Sequence, residues 1–85
     1  MPTISPNSEE ISALVAIAKK RLRKIPAPYR YSHYQMAKRW IATAGRFAKK
    51  NPIFAARELN SAFHVLDMAE AIADERVKLH GRDPR

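Results

Sequence analysis

The amino-acid sequence predicts an all-α protein, a three-helix bundle whose C-terminal helix is longer than the other two. Three observations predict it. Apolar residues recur at helical spacing in three segments, prolines and capping residues separate those segments, and no segment alternates apolar and polar residues as a strand does. The predicted helices span about residues 7–25, 33–50 and 52–80, within a single helical domain over residues 1–85.

The first predicted helix has two distinct faces and clear start and stop signals. Asn7 and Glu10 have the spacing of a capping box, while Pro26 and Pro28 end the helix and predict an extended link. The apolar side chains that share an arc of about 100° are Ile11, Leu14, Val15, Ala18, Leu22 and Ile25. The cations that centre on the opposite side are Lys19, Lys20, Arg23 and Lys24.

The second predicted helix is divided in the same way. Ser32 and Gln35 form a capping-box pattern that predicts a helix start at His33, and Tyr31 with Met36 has the spacing of a hydrophobic staple. The apolar face of this helix comprises Met36, Ala37, Trp40, Ile41, Ala44, Phe47 and Ala48. Its cations gather on the other face and are Lys38, Arg39, Arg46, Lys49 and Lys50.

The third predicted helix is about 40 Å long at 1.5 Å per residue. Asn51 caps its start, Pro52 suits its first position, and Gly81 suits a left-handed C-terminal cap. One apolar stripe comprises Ala55, Leu59, Ala62, Leu66, Ala69, Ala73 and Val77, and a second comprises Phe54, Val65, Met68, Ile72 and Leu79. A helix with two apolar stripes needs cover on two sides.

The two stripes also predict a homodimer. Because the first two helices are short, we expect the distal part of the third helix to need cover from a second copy of the chain. The predicted dimer interface comprises Val65, Met68, Ile72, Val77 and Leu79.

Positive charge is concentrated in the first two helices. The formal net charge is +8, and residues 11–57 contain 12 Lys or Arg and no Asp or Glu, whereas residues 58–85 contain 4 basic and 6 acidic residues. Such asymmetry indicates an anionic partner. The predicted nucleic-acid contacts are Lys19, Lys20, Arg23, Lys24, Arg30, Lys38, Arg39, Arg46, Lys49 and Lys50.

The leading functional hypothesis is therefore a small nucleic-acid-binding protein, with DNA favoured over RNA, such as a repressor or accessory factor of bacterial, plasmid or phage type. The alternative is an interaction module or inhibitor whose basic face docks on an acidic protein surface. Amphipathic helices lying on an anionic membrane are a weaker third hypothesis. A helix-turn-helix is disfavoured because Asn51-Pro52 leaves almost no turn between the last two helices.

The sequence gives little support to the hypothesis of an enzyme. His33, His64 and His80 lack metal-ligand spacing, and the only glycines, Gly45 and Gly81, do not form a phosphate-binding loop. His64 and Asp67 have the spacing of a surface pair. We therefore expect no enzymatic activity, no cofactor, no metal and no small-molecule substrate.

Cysteine and hydropathy patterns bear on the compartment. The sequence has no cysteine, so disulfides cannot stabilise the fold. It shows neither the basic and apolar pattern of a signal peptide nor the roughly 20 apolar residues of a membrane span. These patterns predict a soluble, cytoplasmic protein.

Overall fold

The computed structural model describes residues 7–81 and is helical throughout most of them. The elements are α1 (Ser8–Lys24), α2 (Ser32–Phe47) and α3 (Pro52–His80), with a short 3-10 helix at Ala27–Tyr29 between α1 and α2. The described residues contain no strand, and none of their helices is long and apolar enough to cross a membrane. The predicted three-helix bundle with a long C-terminal helix is confirmed.

Two asparagine caps set the starts of α1 and α3 as predicted. The side-chain oxygen of Asn7 accepts hydrogen bonds from the backbone N–H groups of Glu9 and Glu10, at 3.0 and 3.2 Å. The side-chain oxygen of Asn51 accepts from the N–H of Phe54 at 3.2 Å. Each cap satisfies backbone donors that have no partner inside the helix.

The start of α2 differs from the prediction. Ser32 is already the first helical residue, and Tyr31, with extended backbone (φ −88°, ψ −163°), holds the cap position without a side-chain hydrogen bond. The backbone N–H of Gln35 donates to the Tyr31 carbonyl at 3.2 Å. The predicted capping box of Ser32 and Gln35 is therefore wrong, because a serine inside the helix cannot act as its cap. Tyr31 and Met36, which have the spacing of a hydrophobic staple, are both exposed. The helix α2 ends at Phe47, three residues earlier than predicted.

The three helices run up, down and up. α1 and α2 are antiparallel neighbours, and a Cβ atom built on Gly45 would lie 3.4 Å from Cγ1 of Val15. α2 and α3 form a hairpin whose turn is closed by Phe47 and Phe54, with ring centroids 5.2 Å apart in an edge-to-face arrangement. α1 and α3 are therefore parallel, and each helix packs against both others.

The core consists of apolar side chains, and many of them are small. Among residues 7–81 the largest fully buried side chains are Ile11, Ile41, Leu59 and Leu66, and nine of the 19 buried residues are alanines. Alanines at helix contacts allow the helix axes to approach closely, toward the lower end of the usual 8–10 Å. Apart from Tyr29 and Tyr34, which carry a hydroxyl, no polar or charged side chain is buried among the described residues. Packing therefore holds the bundle together.

The prolines of the link between α1 and α2 predicted an extended segment, but the link folds back onto α3. Its 3-10 turn buries Tyr29, and the Tyr29 hydroxyl donates a hydrogen bond to the carbonyl of Gly81. Gly81 has the positive φ expected of the glycine that ends α3, at 78°, but its ψ of 179° lies outside the left-handed helical region that was predicted. Ile25, at the start of the link, is buried and lies beside Ala73. The chain itself thus covers part of the distal α3 surface for which a second copy was predicted.

The five residues of the predicted dimer interface differ in their exposure to solvent. Val65 is buried within the chain, and Val77 packs partly buried against the core. Met68 and Leu79 are exposed, and Ile72 is partly buried. Only part of the predicted interface is therefore presented at the surface.

One pair of matched substitutions on α3 tests this burial pattern. Leu66 is 0 % exposed and Leu79 is 65 % exposed. Leu66→Ala is expected to lower the free energy of unfolding by about 2–5 kcal/mol through lost burial and a cavity. Leu79→Ala should change it by less than about 0.5 kcal/mol. Urea unfolding followed by circular dichroism measures both, and equal losses would contradict the packing described here.

Candidate functional site

A groove between α1 and α2 brings cations of the two helices together. We call it the α1/α2 groove, and its volume is about 280 Å³. Buried Leu22 and Ile41 form its floor with the small side chain of Ala42. The residues that line it are Lys19, Leu22 and Arg23 from α1 and Lys38, Ile41 and Ala42 from α2. Three exposed cations thus border an aliphatic floor.

Helical geometry explains how the basic run of α1 is divided. Successive residues turn about 100° around a helix, so residues two apart lie on nearly opposite sides. Leu22 points into the core, and Arg21 points towards α3. Lys19 and Arg23, each two residues from Arg21, therefore point towards α2.

Arg21 is held by two carboxylates of α3. Its Nε donates to Glu70 at 3.0 Å and its Nη2 donates to Glu70 and, at 2.7 Å, to Asp67. Its guanidinium also lies 5.5 Å from the centroid of the Phe63 ring. The hydrogen bond to Glu70, above all, raises the pKa of Arg21 above its ordinary value. The sequence analysis did not predict this contact, since it paired Asp67 with His64. The carboxylates of Asp67 and Glu70 neutralise the charge of Arg21 within the chain.

The cations of α2 continue the same surface. Lys38 and Ala42 are four residues apart and lie on the side of α2 that faces α1, and Lys49 follows in the turn after α2. Arg39 and Arg46 are seven residues apart and lie about 100° further round, towards solvent. All four cations are exposed. The α1/α2 basic face is defined here as Lys19, Arg23, Lys38, Arg39, Arg46 and Lys49.

Three other predicted contacts lie away from this face or at its edge. Lys24 lines a second depression, between α1 and α3, together with Glu70 and Asp74. Lys20 is two residues from core Leu22 and therefore points away from the bundle. Lys50 is exposed in the turn after α2. The predicted set is thus divided between one continuous face and its surroundings.

Arg30 is engaged within the chain. Its Nε donates to the carbonyl of Ile25 at 3.0 Å, and its guanidinium lies 4.9 Å from the centroid of the Tyr34 ring. Tyr34 is itself buried. Through these contacts Arg30 and Tyr34 brace the connection between α1 and α2.

Charge is arranged differently on the two sides of α1. Across residues 7–81 the ion pairs are those of Arg21 with Asp67 and Glu70, at the α1/α3 contact. No described carboxylate pairs with a cation of the α1/α2 basic face. Like charges facing each other across a helix contact destabilise a fold slightly. Among the described residues, no ion pair of the α1/α2 cations therefore stabilises the bundle.

Comparison with protein-family models, with curated proteins and with solved structures found no match for this chain. Among residues 7–81, no group of three or more His, Asp or Glu side chains is arranged to hold a metal ion. The chemistry that the described surface offers is positive charge beside aliphatic side chains.

Substitutions of Arg21 and Arg23 test whether these two cations of α1 have different roles. Arg21→Gln is expected to lower the free energy of unfolding by about 1 kcal/mol, since it removes two partly exposed ion pairs. Arg23→Gln carries the same change of charge and should alter stability by less than about 0.5 kcal/mol. Urea titration at neutral pH measures both variants. Equal stability of the two would show that the contact with α3 contributes nothing.

Proposed function

We propose that this chain is a small nucleic-acid-binding protein that contacts the phosphate backbone through the α1/α2 basic face. The observation that carries the proposal is the position of Lys19 and Arg23 beside Lys38 at one groove, with no carboxylate among the residues that line it. Ordinary solvated helices mix both signs of charge on their surfaces. Here Asp67 and Glu70 of α3 lie on the opposite side of α1, where Arg21 pairs with them.

The physical basis of the proposed binding is the release of counterions. A nucleic acid carries a dense row of phosphates with condensed cations, and a surface that neutralises those phosphates sets the cations free. Six cations on the face predict a slope of log affinity against log salt of about −5 on duplex DNA. Affinity should then fall about a thousandfold between 50 and 200 mM salt.

The proposal favours DNA over RNA. The major groove of B-form DNA admits a helix, whereas the deep and narrow major groove of A-form RNA excludes one. Arg39 and Arg46 point towards solvent from α2 and are the side chains best placed to reach into a groove, while the cations nearer α1 contact phosphates. A role as repressor or accessory factor of bacterial, plasmid or phage type, in the cytoplasm, is part of this proposal.

A salt-titrated binding assay with a charge-matched control tests the site. The variant Lys38→Gln/Arg39→Gln/Lys49→Gln removes three cations of the face, and its slope against log salt should be smaller by about 2.7. The control Arg57→Gln/Arg76→Gln/Lys78→Gln removes three exposed cations of α3 and should leave the slope near that of the wild type. Fluorescence anisotropy with duplex DNA, single-stranded DNA and RNA of equal length gives the slopes.

Two results of this assay would contradict the proposal. If the wild-type chain binds no nucleic acid better than millimolar at low salt, nucleic acid is not the partner. If both triple variants lose affinity equally, net charge alone accounts for binding and the α1/α2 basic face is not the site. Circular dichroism of each variant shows that the helices remain intact.

We also propose a homodimer formed through exposed apolar side chains of α3. Met68 and Leu79 are exposed and Ile72 is partly buried, and the three lie within twelve residues on the same side of α3, at spacings of four and seven. This is a narrower interface than the five residues of the sequence prediction, because the chain already covers Val65 and Val77. A second copy would also double the number of cations presented to a nucleic acid.

Sedimentation analysis of one apolar-to-charged substitution tests the dimer. Wild-type protein at tens of micromolar should sediment as a dimer, and Met68→Glu should shift it to a monomer because a carboxylate would be buried in the interface. Ile17→Glu makes a similar change at an exposed apolar residue of α1 and should leave the dimer intact. A monomeric wild-type chain at these concentrations would rule the dimer out.

A further inference from the structure

The floor of the α1/α2 groove is a feature that phosphate binding leaves unused. Leu22 and Ile41 are almost completely buried, yet they line the groove together with Ala42. Phosphate oxygens gain nothing from aliphatic side chains, whereas an apolar group placed there is removed from water on several sides. The groove is therefore built for a ligand that has apolar groups as well as negative charge.

The groove is large enough to receive such a group. Its volume is about 280 Å³, and an apolar cavity of about 150 Å³ is enough to hold benzene. Ala42 is the reason for the space, because this exposed position of α2 carries only a methyl group. A larger side chain at Ala42 would occupy the groove from within the chain.

Charge on both rims restricts the ligand further. Lys19 and Arg23 lie one turn apart on the α1 rim, and Lys38 lies on the α2 rim. A ligand that fits must present apolar side chains towards the floor and carboxylates on both flanks. An amphipathic helix with leucines along one stripe and glutamates on either side has this pattern, since residues three and four apart lie on one face.

We infer that the α1/α2 groove is a docking site for an acidic amphipathic helix of a partner protein. The helix lies between α1 and α2 as a fourth member of the bundle, with its apolar stripe on Leu22, Ile41 and Ala42. Its acidic flanks pair with Lys19, Arg23 and Lys38. This mode of recognition, a helix in an apolar groove, is common among protein interaction modules.

The docking site does not rest on the nucleic-acid proposal, but the two share cations. Lys19, Arg23 and Lys38 belong both to the groove rims and to the α1/α2 basic face. A helix seated in the groove would neutralise these side chains and weaken binding of a polyanion to the same surface. The acidic helix would then act as a competitor of nucleic acid, and the two ligands can be tested separately.

Three labelled peptides of equal charge test the inference with the whole chain. The first has leucines at positions i, i+3, i+4 and i+7 flanked by glutamates, the second is a scrambled version of the first, and the third contains glutamate and glycine only. Fluorescence anisotropy should give an affinity for the amphipathic peptide at least about tenfold higher than for either other peptide. Equal binding of the three peptides would overturn the inference, since the floor would then contribute nothing.

Two sets of variants locate the binding. Lys19→Gln/Lys38→Gln should weaken binding of the amphipathic peptide about tenfold, within the range expected for two partly exposed ion pairs. The control Lys20→Gln/Lys24→Gln makes the same change of charge on α1 outside the groove and should change affinity less than about twofold. Equal losses in the two variants would place the peptide elsewhere.

Ala42→Phe separates the docking site from the nucleic-acid proposal. The phenyl ring fills the groove while every cation stays, so binding of the amphipathic peptide should fall at least tenfold while affinity for nucleic acid persists. Retained peptide binding in a variant whose circular dichroism is unchanged would overturn the docking site. A wild-type chain that binds nucleic acid and no acidic peptide would leave phosphate as the ligand of the rims and contradict the inference.

Discussion

The rotation of α1 about its own axis determines which of its cations face a ligand. Leu22 is packed in the core, and one residue earlier Arg21 reaches Glu70 and Asp67 on α3. These two contacts fix the helix from two directions, so Lys19 and Arg23 have only the side facing α2 left. A rotation of one residue in one direction would turn Leu22 against the acidic residues of α3, and in the other it would turn Arg21 into the core. The candidate site therefore depends on the α1/α3 contact, although that contact is not part of it.

The two contacts of α1 show different relations between charge and stability. At α3, opposite charges lie within hydrogen-bonding distance, and the guanidinium of Arg21 makes three hydrogen bonds through two of its nitrogens. At α2, cations face cations, and the packing of Leu22 against Ile41 and neighbouring alanines must offset their repulsion. Gly45 lets the two helices approach closely, since a Cβ atom there would already lie 3.4 Å from Cγ1 of Val15. A ligand that supplies negative charge would relieve the repulsion, so binding and stability should be coupled at this surface.

Local sequence patterns predicted a helix start correctly where the capping side chain and the backbone conformation mark the same residue. Asn7 and Asn51 act as caps because their short amide side chains reach backbone donors two or three residues ahead. The same reasoning failed at Ser32, where the pattern of a capping box is present but the backbone already turns at Tyr31. The folded link was not predictable either. Its 3-10 turn is held by Tyr29 against the end of α3, 52 residues away, and no local pattern encodes such a contact.

The candidate site shows what a charge pattern can and cannot predict. Six adjacent residues of α1 contain five cations, which was enough to predict a basic helix face. The helical wheel already left Arg21 out of that face and placed Arg23 on it. It could not identify the partners of Arg21, which lie 46 and 49 residues away, or the groove that Arg23 borders, because both depend on the neighbour on each side of α1. The arrangement of the three helices therefore decides that Arg21 pairs with α3 and that Arg23 borders the groove. It also creates the apolar floor of the groove, which the number of charges in the sequence cannot predict.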